Sequence, residues 1–94
     1  MKISEIYLKY NDFPVDRTLE RDLEMTVKLK FVPDEYLCGK PILLEDETGI
    51  LEAVSRANLF ESLKKEVGKV LKLKGRLDKT EFNTIGFEIQ EILE

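Results

Sequence analysis

The sequence predicts a small all-β domain with a minor α component: a five-stranded Greek-key barrel, a helix between its third and fourth strands, and a short lead-in helix. Three observations predict it. Apolar and polar residues alternate strictly from Leu23 to Phe31, which is the period of a strand with one face in a core and one in water. The spacing turns helical after Ala57 and returns to that of a strand at Lys69. Gly75 interrupts this later strand, and a glycine there marks the bulge or sharp bend that a coiling sheet needs.

At 94 residues the chain fits one domain with a single core, read as a lead-in over residues 1–20 and a barrel domain over residues 21–94. The sole cysteine, Cys38, allows no internal bridge. With no signal peptide, the expectation is a soluble, cytoplasmic protein. Charges interrupt every apolar run well short of the roughly 20 residues a membrane helix needs, so no membrane partner is expected. The chain has no histidine, which removes histidine triads, the commonest general base and the usual nitrogen ligand of zinc. No phosphate loop or metal motif replaces them, and the reading is a protein that is not an enzyme and needs no cofactor. Fifteen basic residues against nineteen acidic ones leave a net charge of −4, a field that repels polyanions unless a local basic patch overrides it.

Along the chain, Ile3, Ile6, Tyr7 and Tyr10 have helical spacing, which predicts a lead-in helix that ends before Phe13-Pro14, with both tyrosines facing the core. After the first strand, Val32-Pro33-Asp34-Glu35-Tyr36 breaks the pattern and opens a loop to Lys40. Ile42 to Glu45 and Ile50 to Ala57 read as two strands joined by Asp46-Glu47-Thr48-Gly49. The run Glu45-Asp46-Glu47 poses a question of chemistry: metal cradle, acid/base pair or turn. A calcium loop needs acids at alternating positions, a glycine at its sixth residue and a distal glutamate, and that pattern is absent. A hairpin turn is expected instead, with Gly49 at positive φ and Asp46 accepting backbone hydrogen bonds.

The helix that follows is expected to start at Asn58 as N-cap with Glu61 completing a capping box, to bury Phe60, Leu63 and Val67, and to end at Gly68. From Lys69 to Asp78, Leu71 and Leu73 point one way and Lys72, Lys74 and Arg76 the other. Lys79 to Gly86 reads as a loop. Phe87 to Leu93 reads as the last strand, irregular near Glu91.

Five strands with a helix between the third and fourth form the plan of the OB-fold. The segments LLEDETGILEAV, NLFESLKKEVG and KVLKLKGRLD resemble the OB domains of replication protein A and of the alpha subunits of replicative DNA polymerases, over about Leu23 to Leu93. The resemblance implies a module of replication or repair that binds single-stranded DNA across its second and third strands, between two loops, without catalysis. RNA would satisfy the same stacking and phosphate contacts. An aromatic often ends the third strand in that family, and here the residue is Arg56, whose planar guanidinium can also stack on a base. Glu52 on the same face departs from the pattern and opposes a phosphate backbone.

Phe82 stands where the family often places a second stacking aromatic, and Tyr36 lies in the loop after the first strand. The alternative roles are a cover over the barrel end for Phe82 and a loop clasp for Tyr36. Lys28 and Lys30 on the first strand, with Lys69, Lys72, Lys74, Arg76 and Lys79 around the fourth, are expected to form a basic stripe, because these strands pair in an OB barrel. The competing reading is a protein-interaction subunit that binds a replication or repair partner and little or no nucleic acid. It draws on the negative net charge, on Glu52 and on the missing third-strand aromatic.

Overall fold

The computed structural model describes residues 1–93. Two helices, α1 (Ile3–Tyr10) and α2 (Ala57–Lys64), and five strands, β1 (Arg17–Phe31), β2 (Ile42–Asp46), β3 (Gly49–Ser55), β4 (Val70–Lys79) and β5 (Ile85–Ile92), run in the order α1-β1-β2-β3-α2-β4-β5. The strands close into a barrel in the order β1-β2-β3-β5-β4, and β4 returns to β1. Every pairing is antiparallel except that of β3 with β5. With α2 between β3 and β4, this is the OB-fold plan.

β1 is long because it serves two partners. Residues from Arg17 to Lys28 pair with β4, and Lys28 to Phe31 with β2. It starts at Arg17 rather than at Leu23, where the alternation becomes visible. The register slips between Thr18 and Glu20 and again between Glu20 and Leu23, and Asp22 takes a φ of 54°. Such bulges bend a strand and scramble its period of two, so residues 17–22 are strand without looking like one.

Gly75 performs the service expected of it. The β4–β5 register slips between Lys74 and Gly75, which places Lys74 opposite Glu91 and Gly75 opposite Ile89; this is also the irregularity expected near Glu91. A Cβ on Gly75 would overlap the Glu88 carbonyl oxygen and lie 2.9 Å from both the Glu88 carbonyl carbon and Phe87 Cζ. The two backbones meet this closely because the side chain is missing.

Alternation puts Met25, Val27 and Leu29 of β1, Leu51 and Ala53 of β3, and Leu71, Leu73 and Leu77 of β4 in the core. Phe60 and Leu63 of α2 join them at the end where β3 finishes and β4 begins. α2 starts and stops differently from the expectation. Arg56 is the N-cap, Asn58 lies inside the first turn, and no side chain caps the helix. Strand pairing carries β3 as far as Ser55 and the Arg56 carbonyl already accepts from the Leu59 amide, so the helix begins ahead of Asn58. Beyond Lys64 the chain makes tight turns to Gly68, at φ 92°, and Val67 is left exposed.

α1 closes the other end. Ile3, Ile6 and Tyr10 are buried, whereas Tyr7, expected in the core, sits on the flank, with its hydroxyl donating to the Ile50 carbonyl at 2.9 Å. The helix rests its N-terminus on the β2–β3 turn. Asp46 Oδ2 accepts from the Ile3 amide at 2.8 Å, Thr48 Oγ1 accepts from the Ser4 amide at 3.0 Å, and Asp46 Oδ1 accepts from the amides of Thr48 and Gly49 at 2.7 and 3.2 Å. These bonds shape the turn in place of a positive φ at Gly49, which the chain does not use. Each acid of the triplet has a partner: Glu45 pairs with Lys30 at 3.1 Å, Asp46 caps α1, and Glu47 pairs with Lys2 at 2.9 Å. At the other terminus of α1, the buried Lys79 ammonium donates to the carbonyls of Asn11 at 2.7 Å and Tyr10 at 3.5 Å.

Burial works to raise the Asp46 carboxyl, but the Thr48 hydroxyl and the amides of Ile3, Thr48 and Gly49 outweigh it and hold the group below the usual aspartate range. The depressed folded-state value means that Asp46 stabilises the fold at pH above its unfolded pKa of about 3.9, and that this contribution fades as pH falls through the lower folded value. Asp46→Asn should cost roughly 1–3 kcal/mol near neutral pH and flatten the acid limb of stability, measured by urea unfolding from neutral pH downward. Gly75→Ala should cost about 3 kcal/mol, seen as a fall in Tm of roughly 10 °C or more. Gly86→Ala, where an added Cβ meets only Thr80 Cγ2 at 3.8 Å and the Glu52 carbonyl at 4.0 Å, should change Tm little in the same scans.

Candidate binding groove

The alternation of β3 that buries Leu51 and Ala53 turns Glu52 and Val54 outward. Parallel pairing then sets Glu52 beside Gly86 and Val54 beside Glu88. On the far side of β5, Asp78 stands beside Gly86 and Arg76 beside Glu88. The surface thus carries two rungs: Glu52–Gly86–Asp78 and Val54–Glu88–Arg76. Over the first rung the wall recedes, because Gly86 has no side chain.

The result is a groove of about 200 Å³, lined by Pro41, Val54, Thr84 and Gly86 together with Glu52, Asp78 and Glu88. It lies between the β1–β2 loop (residues 32–41) and the β4–β5 loop (residues 80–84). Its volume is below the roughly 300–1,000 Å³ typical of small-molecule pockets. Arg76 bonds Asp78 at 3.1 Å and approaches Glu88 at 3.6 Å, while Gln90 donates to Glu88 at 2.8 Å. Glu52 is exposed and has no ion-pair partner among the described residues. Burial raises the pKa of the neighbouring Tyr7 phenol, and the Glu52 charge raises it further.

The two flanking loops are tied down in different ways. Tyr36 is the clasp: its hydroxyl donates to the Ser55 carbonyl at 3.1 Å, and its ring packs against Phe60 at 5.4 Å between centroids. Some 39% of it stays exposed beside the groove end. In the β4–β5 loop, the Thr80 and Thr84 hydroxyls are hydrogen-bonded to each other at 2.7 Å and Thr80 Oγ1 accepts from the amides of Phe82 and Thr84, while Asn83 turns the chain at φ 62°. This firm turn holds Phe82 80% exposed, so Phe82 does not cover the barrel end.

The expected basic stripe is assembled in position but not in charge. Lys28 of β1 does neighbour the start of β4, opposite Val70, whereas Lys30 lies beyond that pairing, where β1 runs beside β2; Lys72, Lys74 and Arg76 do point outward. Adjacent strands interleave acids among them. Lys30 pairs with Glu45 at 3.1 Å, Lys72 with Glu24 at 3.4 Å, and Arg76 with Asp78 and Glu88, while Lys74 lies between Glu24 and Glu91 in the register. Lys28 lies opposite Glu45. The five cations Lys28, Lys30, Lys72, Lys74 and Arg76 therefore meet the five acids Glu24, Glu45, Asp78, Glu88 and Glu91, and the face is electrically balanced. Lys69 pairs with Glu66 at 2.9 Å, and Lys79 is inside the barrel. Arg56, at the end of β3, is exposed.

Cys38 is an exposed free thiol in the β1–β2 loop. Among the described residues no three of histidine, cysteine, aspartate and glutamate converge as a metal site would require, and no helix is long and apolar enough to cross a membrane. The place of Asp78 and Glu88 in the groove escaped the sequence reading, and Lys79, expected in the basic stripe, is buried instead; its signal was its phase, two residues beyond Leu77. No protein-family model matches the chain, and no curated protein matches it.

The balance on the β1–β4–β5 face has a consequence for stability. Replacing Lys72, Lys74 and Arg76 together by glutamine leaves Glu24, Asp78, Glu88 and Glu91 without their cations, and should lower stability by about 1 kcal/mol at low salt and less at high salt. Thermal melts at two ionic strengths check this. A self-repelling cationic groove would respond oppositely, gaining stability on neutralisation.

Proposed function

We propose that the protein is a non-catalytic OB-type binding module that assembles with a protein partner through the groove over β3. The observation that carries this reading is the groove's lining, which contributes three carboxylates and no cation of its own, together with the cancellation of the basic stripe. A phosphate backbone gains affinity chiefly from clustered lysine and arginine, and these side chains are already matched by acids. An interface of this kind instead uses a small apolar floor, Val54 and Pro41, with a charged rim that sets orientation and partner choice. The sequence resemblance to the OB domains of replication protein A supports a setting in replication or repair.

Single-strand binding is a second reading, favoured by one observation. Phe82 projects from an ordered turn beside the groove, and Arg56 is exposed at the end of β3; a base stacked on such a group gains about 1–3 kcal/mol.

Fluorescence anisotropy at two salt concentrations separates the readings, with single-stranded DNA, single-stranded RNA and duplex long enough to span the ~4–16 nucleotides one OB barrel covers. The expected outcome is no saturable binding at low salt with protein at tens of micromolar, about the range of non-specific affinities. In parallel, a complex isolated from the native source should withstand moderate salt and be lost on charge reversal by Glu52→Lys with Glu88→Lys. Salt-sensitive oligonucleotide binding that Phe82→Ala abolishes would transfer the conclusion to the second reading.

A further inference from the structure

We infer that the groove takes an extended peptide segment that presents a basic and an apolar side chain, two residues apart, on one face. This rests on the protein-interaction reading above and names the chemistry of the partner. Two features of the groove specify it.

The first is the spacing of charge. Gly86 lies between Glu52 on β3 and Asp78 on β5's other neighbour, β4. A lysine or arginine laid over the bare glycine backbone meets a carboxylate on each side. Of these acids Glu52 has no ion-pair partner among the described residues, and Asp78 and Glu88 share the single guanidinium of Arg76. The lining retains unmatched negative charge, and its complement is cationic.

The second is the apolar step next to that rung. Val54 is 52% exposed, with Pro41 beside it at the groove margin. An apolar side chain two residues from the basic one covers this surface. The two rungs are two residues apart along β5, at Gly86 and Glu88, which matches an extended chain, whose side chains at i and i+2 share a face. Strand addition is not the mode of binding, because β3 is paired on both sides, with β2 and with β5.

The test uses the whole chain and a fluorescein-labelled peptide of Lys-Ser-Val-Ser repeats, which sets lysine and valine on one face of an extended chain, alongside the same repeat with glutamate in place of lysine and a single-stranded oligothymidylate. Anisotropy should show saturable binding of the lysine peptide only, and amide chemical-shift changes should concentrate at Glu52–Ser55 and Ile85–Glu88. The Glu52→Gln/Glu88→Gln variant should weaken the lysine peptide roughly fivefold or more. The equally neutralised Glu61→Gln/Glu91→Gln variant, whose sites do not line the groove, should bind within about twofold of the parent.

Equal losses in the two glutamine variants would mean diffuse attraction to an acidic protein and would overturn the inference. So would an unchanged affinity in Glu52→Gln/Glu88→Gln. If the lysine peptide fails to bind while the native complex withstands charge reversal at Glu52 and Glu88, the partner uses another face; the inference then falls and the interaction reading stands. If oligothymidylate shifts the groove amides instead, both fall.

Discussion

The closure of the barrel at Gly75 is the constraint from which the groove over β3 follows. β4 has to contact β5 and still return to β1, and it does so by letting its backbone touch that of Glu88 where any side chain would collide. Once closed, the barrel has no free choice about faces. The phase that buries Leu71, Leu73 and Leu77 turns Arg76 and Asp78 outward, and the parallel β3–β5 pairing aligns Glu52, Gly86 and Asp78 in one rung. The groove is therefore set by strand register, and register in a closed barrel cannot slip by one residue without moving the core face into solvent.

A second consequence of closure is a pair of anchors for α1. An eight-residue helix is too short to persist alone in water, and it would leave amides and carbonyls unmatched at both ends. The barrel supplies a carboxylate and a hydroxyl, Asp46 and Thr48, at the N-terminus and an ammonium, Lys79, at the C-terminus. Both charges have the sign that complements the helix macrodipole. Burying Lys79 without an acid would be costly, and the carbonyls of Tyr10 and Asn11 are what offset that cost. Residues that look like chemistry in the sequence, the Glu45-Asp46-Glu47 run above all, are used here to hold a plug in a barrel.

What the sequence discloses follows from where each signal is encoded. Side-chain alternation is local, so the inward phase of Leu51 and Ala53 and the bend at Gly75 are legible. The start of β1 is hidden because bulges at residues 18–23 break the alternation that would announce it. The burial of Lys79 was present as phase, in step with Leu71, Leu73, Gly75 and Leu77, but ending the strand at Asp78 discarded the clue. Asn58 is a good cap residue placed two positions too late, since strand pairing and the Arg56 carbonyl decide where α2 begins. The basic stripe shows the limit most clearly. Reading down β4 counts its cations and one acid, Asp78; the other acids that cancel them arrive from β1 and β5, dozens of residues away in one case and a dozen or more in the other, and only register brings them together.

The same reasoning explains why the acidity that remains is concentrated at the groove. On most outward rungs a cation on one strand meets an acid on the next, and an exposed pair of this kind contributes little to stability but a great deal to cancelling the surface potential. On the Glu52–Gly86–Asp78 rung Asp78 draws its cation, Arg76, from the next rung, and Glu52 lacks this cancellation because the middle position has no side chain. Glycine there both lowers the wall and removes the position from which a lysine could neutralise its neighbours. The adjacent floor of Val54 and Ala53 is apolar, and a concave surface with low-dielectric walls focuses the field of the charges that line it. One missing side chain thus creates the depression and leaves the Glu52 charge uncompensated, which is why shape and sign coincide in the groove.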